Sequence, residues 1–118
     1  MIQIKRIYEP PSEDDGYRVL VDRIWPRGVS KVAAKLDDWM KEVTPSPDLR
    51  IWFGHDPARW EEFKFRYVAE LQGSTQMACI NELKERGTNG TITLLYAAKD
   101  DHHNHAIILL DVLQREES

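Results

Sequence analysis

One cysteine in 118 residues, Cys79, leaves no internal disulfide to be made, and cysteine-poor usage suits a reducing compartment. No apolar stretch approaches the ~20 residues that a membrane-spanning helix needs. The longest aliphatic run, residues 106–110, has five. The opening MIQIKRIYEPP lacks the apolar segment and small-residue cleavage site of a signal peptide. Repeats and low-complexity tracts are missing. So are a GxSxG elbow, a GxxxxGKS/T loop and a GxGxxG turn, which withdraws support from covalent serine chemistry, Walker-type NTP hydrolysis and dinucleotide binding. Positive charge is not in excess either: 16 basic against 20 acidic residues give a net charge of −4. That balance argues against an all-over nucleic-acid surface and leaves a local basic patch open. The expectation is a cytoplasmic protein with no membrane partner, and no motif calls for a cofactor.

What is present is enough for one domain over residues 1–118. A chain of this length buries roughly two-thirds of its unfolded surface without disulfides or metal. Isoleucines alternate with polar residues over 2–7, predicting a strand with one face less buried than the other. YEPPSEDDG over 8–16 is turn chemistry. YRVLVD over 17–22 is a β-branched strand, stopped by Trp25-Pro26-Arg27-Gly28. Ser30 reads as the N-cap of a helix from Lys31, with Leu36, Trp39, Met40 and Val43 continuing at helical spacing. Ser46 or Asp48 starts a short turn through Phe53. Asp56-Pro57 opens a helix whose inner stripe is Trp60, Phe63, Tyr67 and Leu71. Gly73-Ser74-Thr75 separates it from another, with Cys79, Ile80 and Leu83 inward and Gly87 just past its end.

The chain is organised around residues 91–113, TITLLYAAKDDHHNHAIILLDVL: a near-continuous apolar strand, a polar loop and a helix capped by Asn104 with Ala106, Leu109, Leu110 and Leu113 inward. Alternation of this kind predicts an α/β domain with a three-stranded or slightly larger, mainly parallel sheet covered by helices. Residues 17–22 should lie beside 91–97, because the long helical connection between them is what a parallel pairing requires. The two strand ends would then meet.

Ligands of open α/β sheets bind beyond the carboxyl ends of parallel strands. Here that rule selects Asp22, Arg23, Trp25 and Arg27 from one strand and Lys99, Asp100 and Asn104 from the other. A helix start offers free amide donors and partial positive charge, and arginine grips a phosphate or carboxylate through two parallel hydrogen bonds. The competing reading is neutralisation of the sheet end by Asp22–Arg23 and Lys99–Asp100 pairs. His102, His103 and His105 do not make a metal site, since three ligands in four consecutive positions rarely converge. A histidine handling protons fits better, and His103 or His105 stands nearest the helix start. Cys79, mid-helix on an apolar face, reads as core rather than thiolate nucleophile. Trp52, Phe53 and Trp60 beside Arg50, His55 and Arg59 read either as helix packing with capping or as a lid whose rings stack on a ligand while Arg50 or His55 meets its charge.

Three segments, VDRIWPRG, LRIWFGHDPARWEEFKFRY and TLLYAAKDDHHNHAIIL, stand in order and at matching spacing in a way that resembles the YeaO-like family, a family of domains of unknown function. The resemblance spans about residues 2–113. It implies a compact α/β domain and a cytoplasmic location, and brings no reaction. It also implies that Arg23, Trp25, Arg27, Gly28, His55, Asp56, Pro57, Trp60, Tyr96, Lys99, Asp100 and Asn104 are motif positions.

The leading expectation is therefore binding of an anionic small molecule, phosphate-bearing or nucleotide-like. Arg23, Trp25, Arg27, His55, Lys99 and Asn104 are its candidate ligand-binding residues. If the site is catalytic, Asp22, Asp100 and His103 would move protons while Arg23 and Lys99 stabilise negative charge. One rival is a nucleic-acid accessory module using Arg23, Arg27, Lys31, Lys35 and Trp25. The other is an interaction domain, a homodimer for example, with Trp39, Trp52 or Phe65 on an exposed patch.

Overall fold

The computed structural model describes residues 1–115. Four parallel strands form one sheet: β1 (Ile2–Arg6), β2 (Tyr17–Leu20), β3 (Asp38–Trp39) and β4 (Ile92–Tyr96), in the order β1-β4-β2-β3. β4 is therefore central, registered with Ile4 opposite Leu94 on one side and Val19 opposite Leu94 on the other. All five β4 residues are buried, as its continuous apolar sequence requires. Five helices are interspersed with the strands: α1 (Lys31–Ala34) before β3, α2 (Pro47–Phe53), α3 (Trp60–Glu70) and α4 (Ser74–Asn89) between β3 and β4, and α5 (His105–Gln114) after β4. No helix of the described residues is long and apolar enough to cross a membrane.

The two faces of the sheet differ. Val19, Val21, Ile92, Leu94 and Tyr96 point into the main core against Phe53, Phe63, Tyr67, Leu71, Ile80, Leu83 and Leu109 of α2 to α5. Leu20, Leu95 and Ile7 form a smaller cluster on the opposite face with Ala34, flanked by Trp25, Leu36 and Trp39. Beside that cluster the same face carries a polar network. Arg18 bonds Asp15 and the carbonyls of Ala34 and Lys35, and Lys5 bonds Asp15 at 3.1 Å. Thr93 Oγ1 donates to the Asp15 carbonyl at 2.7 Å and accepts from Gln3. The outward residues of β1, β2 and β4 are thus covered rather than solvated.

Local signals account for most boundaries. Ser30, Ser46, Asp56 and Asn104 each accept a hydrogen bond from a backbone N–H of the turn they open. The turn opened by Asp56 is a 3-10 segment, Pro57–Arg59, that runs directly into α3. Gly16 holds φ 62°, and a Cβ there would stand 2.2 Å from the Thr91 carbonyl oxygen, so only glycine lets the chain enter β2 against β4.

Two boundaries depart from the sequence reading. The helix expected from Lys31 to Val43 stops after Ala34, where Lys35 turns left-handed at φ 47°. The chain then lies along β2: Asp37 N donates to Arg18 O at 2.8 Å and Met40 N to Leu20 O at 2.9 Å. The free edge of β2 supplied backbone partners that a helical pattern could not anticipate, so Leu36, Trp39 and Met40 reach the interior from an edge strand. Gly87 lies within α4 rather than past its end. It is buried where α4 crosses β1, and a Cβ would come within 2.5 Å of Ile2 Cγ1.

Candidate functional site

Beyond Leu20 the ladder of β2 gains one more bond, Val21 N to Leu95 O at 3.0 Å, and the chain then turns away. Asp22 sits at this divergence and closes it: its Oδ2 accepts from Ala97 N at 3.0 Å, joining the end of β2 to the end of β4. The two strand ends do meet. Between them opens a cavity of about 530 Å³ lined by Asp22, Arg23, Ile24, Thr44, Pro45, Arg50, Phe53, His55, Phe63, residues 97–100, Asn104 and His105. That size is typical of a small-molecule site.

The loop from Lys99 to Asn104 is built by Asp100. Its Oδ1 accepts from the backbone N–H groups of His102 at 2.9 Å and His103 at 3.0 Å, and its Oδ2 meets His103 Nδ1 at 3.0 Å. The His102 amide, followed by the His103 side chain and amide, holds the Asp100 carboxyl below the usual carboxylate range. The Asp100 carbonyl in turn accepts from Asn104 Nδ2 at 3.0 Å, while Asn104 Oδ1 caps α5 through Ile107 N at 3.1 Å. His103 therefore bonds Asp100 and sets its ring edge against Trp60, 5.3 Å between centroids, outside the cavity lining.

His105, the first residue of α5, lines the cavity instead. Its Nε2 lies 2.5 Å from the Val21 carbonyl oxygen and 3.2 Å from Asp22 Oδ1. Asp22 Oδ1 is close to this nitrogen in charge terms yet, buried, has no hydrogen-bond donor among the described residues. The three histidines thus serve three separate partners: Asp101 for His102, Asp100 for His103 and the β2 end for His105.

The far wall comes from α2 and the residues after it. Phe53 stacks on Phe63 with centroids 4.2 Å apart. Gly54 and His55 both adopt left-handed backbone, at φ 53° and 57°. Histidine is among the few non-glycine residues that enter that region readily, so the turn after α2 carries His55 onto the cavity wall. Arg23 reaches across to the Pro45 carbonyl at 3.3 Å, whereas Arg50 and Lys99 are exposed and have no side-chain partner among the described residues. The Lys99–Asp100 pair of the competing reading does not form among the described residues, and Asp22 meets Ala97 and His105 rather than Arg23.

Of the residues selected from the sequence, Asp22, Arg23, His55, Lys99, Asp100 and Asn104 share this cavity. Trp25 and Arg27 do not line it. Trp25 turns inward, edge-on to Trp39 at 5.3 Å, with Nε1 donating to Val29 O at 2.7 Å; it belongs to the smaller cluster. Arg27 is exposed, and its carbonyl accepts from the Tyr8 hydroxyl at 2.9 Å. Phe63 was legible only as a core position of α3, because helical period reports burial and not which cavity a buried ring borders. Outside the cavity lining, Trp39 lies beneath Lys41 (4.1 Å) and Trp52 beneath Arg59 and Arg66 (5.2 and 4.5 Å). Phe65 remains 74% exposed.

Comparison with known proteins places this chain in a family. Residues 1–118 match the DUF488-N3i family model, described as "Inactive DUF488-N3 subclade". The chain is 43% identical over 113 residues to "Uncharacterized protein YeaO" of Escherichia coli K12, covering 96% of each. It is 39% identical over 112 residues to "Uncharacterized protein Rv3073c" of Mycobacterium tuberculosis H37Rv, covering 95% of this chain and 92% of the relative. A Mycobacterium bovis protein, "Uncharacterized protein Mb3100c", shows the same identity and coverage. No solved structure matches the chain.

Proposed function

We propose, for a chain that belongs to the YeaO-like DUF488-N3i family, that the cavity between the ends of β2 and β4 binds a small molecule carrying a phosphate or carboxylate. One observation carries this reading: Arg50 and Lys99 line the cavity without any anionic partner among the described residues, while its two carboxylates are engaged elsewhere, Asp100 by His102 and His103 and Asp22 by Ala97. Arg23 and the amino end of α5 stand on the same cavity. Cations around a preformed pocket with Phe53, Phe63, Ile24 and Pro45 as walls suit a ligand with an anionic head and an apolar or planar body. A nucleotide meets that description, as does an aryl carboxylate. The "inactive" in the family's description favours binding over turnover. In this reading Asp100 and His103 frame the loop that presents Lys99, and Asp22 holds the strand ends together.

The test is titration of 15N-labelled protein with inorganic phosphate, adenosine monophosphate and 3-phenylpropionate. Saturable shifts should be confined to residues 22–24, 50–55 and 97–105. Arg50→Ala and Lys99→Ala should each weaken binding by about ten-fold, the value of a hydrogen bond to a charged group, and leave thermal stability unchanged. No shift with any of the three at about 10 mM, where even ~3 kcal/mol of binding registers, would sink the proposal.

A further inference from the structure

His105 adds a requirement of the opposite kind to the cations. A carbonyl oxygen can only accept, so the 2.5 Å contact with Val21 O places a hydrogen on Nε2. Asp22 Oδ1, 3.2 Å from the same nitrogen, favours that placement electrostatically. With Nε2 protonated, the neutral ring carries its lone pair on Nδ1, for which the described residues offer no donor. The ring also lines the cavity, with its side chain 16% exposed. Its other neighbours do not supply one: the Tyr67 ring packs edge-on to it at 6.2 Å, and the Tyr67 hydroxyl is committed to Val43 O.

Resting on the anion reading above, we infer that His105 is the hydrogen-bond acceptor of the site. The fitting ligand then bears a hydroxyl or amino donor beside its acidic group: a hydroxy acid, an amino acid or a sugar phosphate rather than a plain acid. Asp22 is the positioning residue that, with the Val21 carbonyl, keeps the acceptor nitrogen turned to the ligand. Four polar groups on one cavity then divide the work. Arg23, Arg50 and Lys99 recognise charge, and His105 recognises the neighbouring donor.

The experiment compares 3-phenylpropionate with each enantiomer of 3-phenyllactate at about pH 8.5, roughly two units above the ordinary imidazole value. One enantiomer should bind about three- to ten-fold tighter than the plain acid, the range of one net hydrogen bond. That advantage should vanish in His105→Phe. Equal affinities in the wild type overturn the acceptor role and leave the anion reading standing; binding of neither acid overturns the acceptor role, and the anion reading falls with it only where phosphate and adenosine monophosphate fail as well. Because His105→Phe could disturb the start of α5, the wild-type imidazole is also observed directly by long-range 1H–15N correlation. A hydrogen on Nε2 supports the inference, and a neutral ring protonated on Nδ1 overturns it.

Discussion

Asp15 and Asp22 stand at opposite ends of β2, two residues before its start and two after its last residue, and the protein treats them in opposite ways. Asp15 is 3% exposed and saturated: Ser12 N at 3.0 Å, Lys5 Nζ on both oxygens and Arg18 Nη1. Burial alone would raise its pKa, but the Ser12 amide, Lys5 and Arg18 outweigh that and hold it below the usual carboxylate range. Among the described residues Asp22 has one donor, Ala97 N, and an oxygen left without one beside His105 and the cavity. A carboxylate with every lone pair matched is architecture, because nothing further can be gained by adding a partner. A carboxylate with an unmatched oxygen, on a cavity that Arg50 and Lys99 line without partners among the described residues, is what the proposed site would offer a ligand.

The contrast breaks most visibly at Asp15. Asp15→Asn strands Arg18, itself 4% exposed, without its counter-charge. The expected loss is about 3–5 kcal/mol of unfolding free energy, read from urea denaturation. The same variant changes the pH dependence. Asp15 binds its proton less tightly folded than unfolded, so its stabilisation is complete above the ordinary aspartate value near 3.9 and is lost as pH falls through the lower folded value. Wild type should therefore lose stability more steeply below about pH 4 than Asp15→Asn does.

A smaller effect is expected at the loop between β4 and α5. Asn104→Ala removes the cap on Ile107 N and the bond to the Asp100 carbonyl, and about 1 kcal/mol should be lost. Amide exchange should rise in the first turn of α5 before anywhere else. The smallest effect is expected at Asp22. Asp22→Asn keeps an oxygen for Ala97 N and leaves no buried cation unpaired, so stability should move by less than about 1 kcal/mol. A loss near that of Asp15→Asn would erase the distinction between the two ends of β2.

Much of this was legible in the residues themselves. YRVLVD and TITLLYAA announced the adjacent parallel strands; Ser30, Ser46, Asp56 and Asn104 announced helix starts; and the Trp60, Phe63, Tyr67, Leu71 stripe announced the inner face of α3. Six of the nine candidate residues line one cavity: Asp22, Arg23, Lys99, Asp100 and Asn104 through the rule that ligands bind beyond parallel strand ends, and His55 through the aromatic segment after α2. The misses share a cause. Leu36, Trp39, Met40 and Val43 have helical spacing, yet the open edge of β2 captured that segment as β3. Gly87 reads as a helix terminator and is instead the thin point where α4 crosses Ile2. Trp25, standing beside Arg23 and Arg27, reads as a site residue, but the nearby Trp39 draws it inward. His103 and His105 are equivalent by spacing, and only their surroundings distinguish them.

The sequence by itself determined β1, β2 and β4, most helix starts, the apolar faces and the strand ends at which to look for a site, because periodicity and capping act between residues no more than a few positions apart. Even the saturated pair, Asp15 with Arg18, is local in this sense, at i and i+3. Tertiary structure decided which charges find partners at the other end of β2. Asp22 meets Ala97 across 75 positions of the chain, and His105 meets Val21 across 84. Contacts of that range leave no trace in local pattern, and in this protein they separate the histidine that braces a loop from the one that faces the cavity.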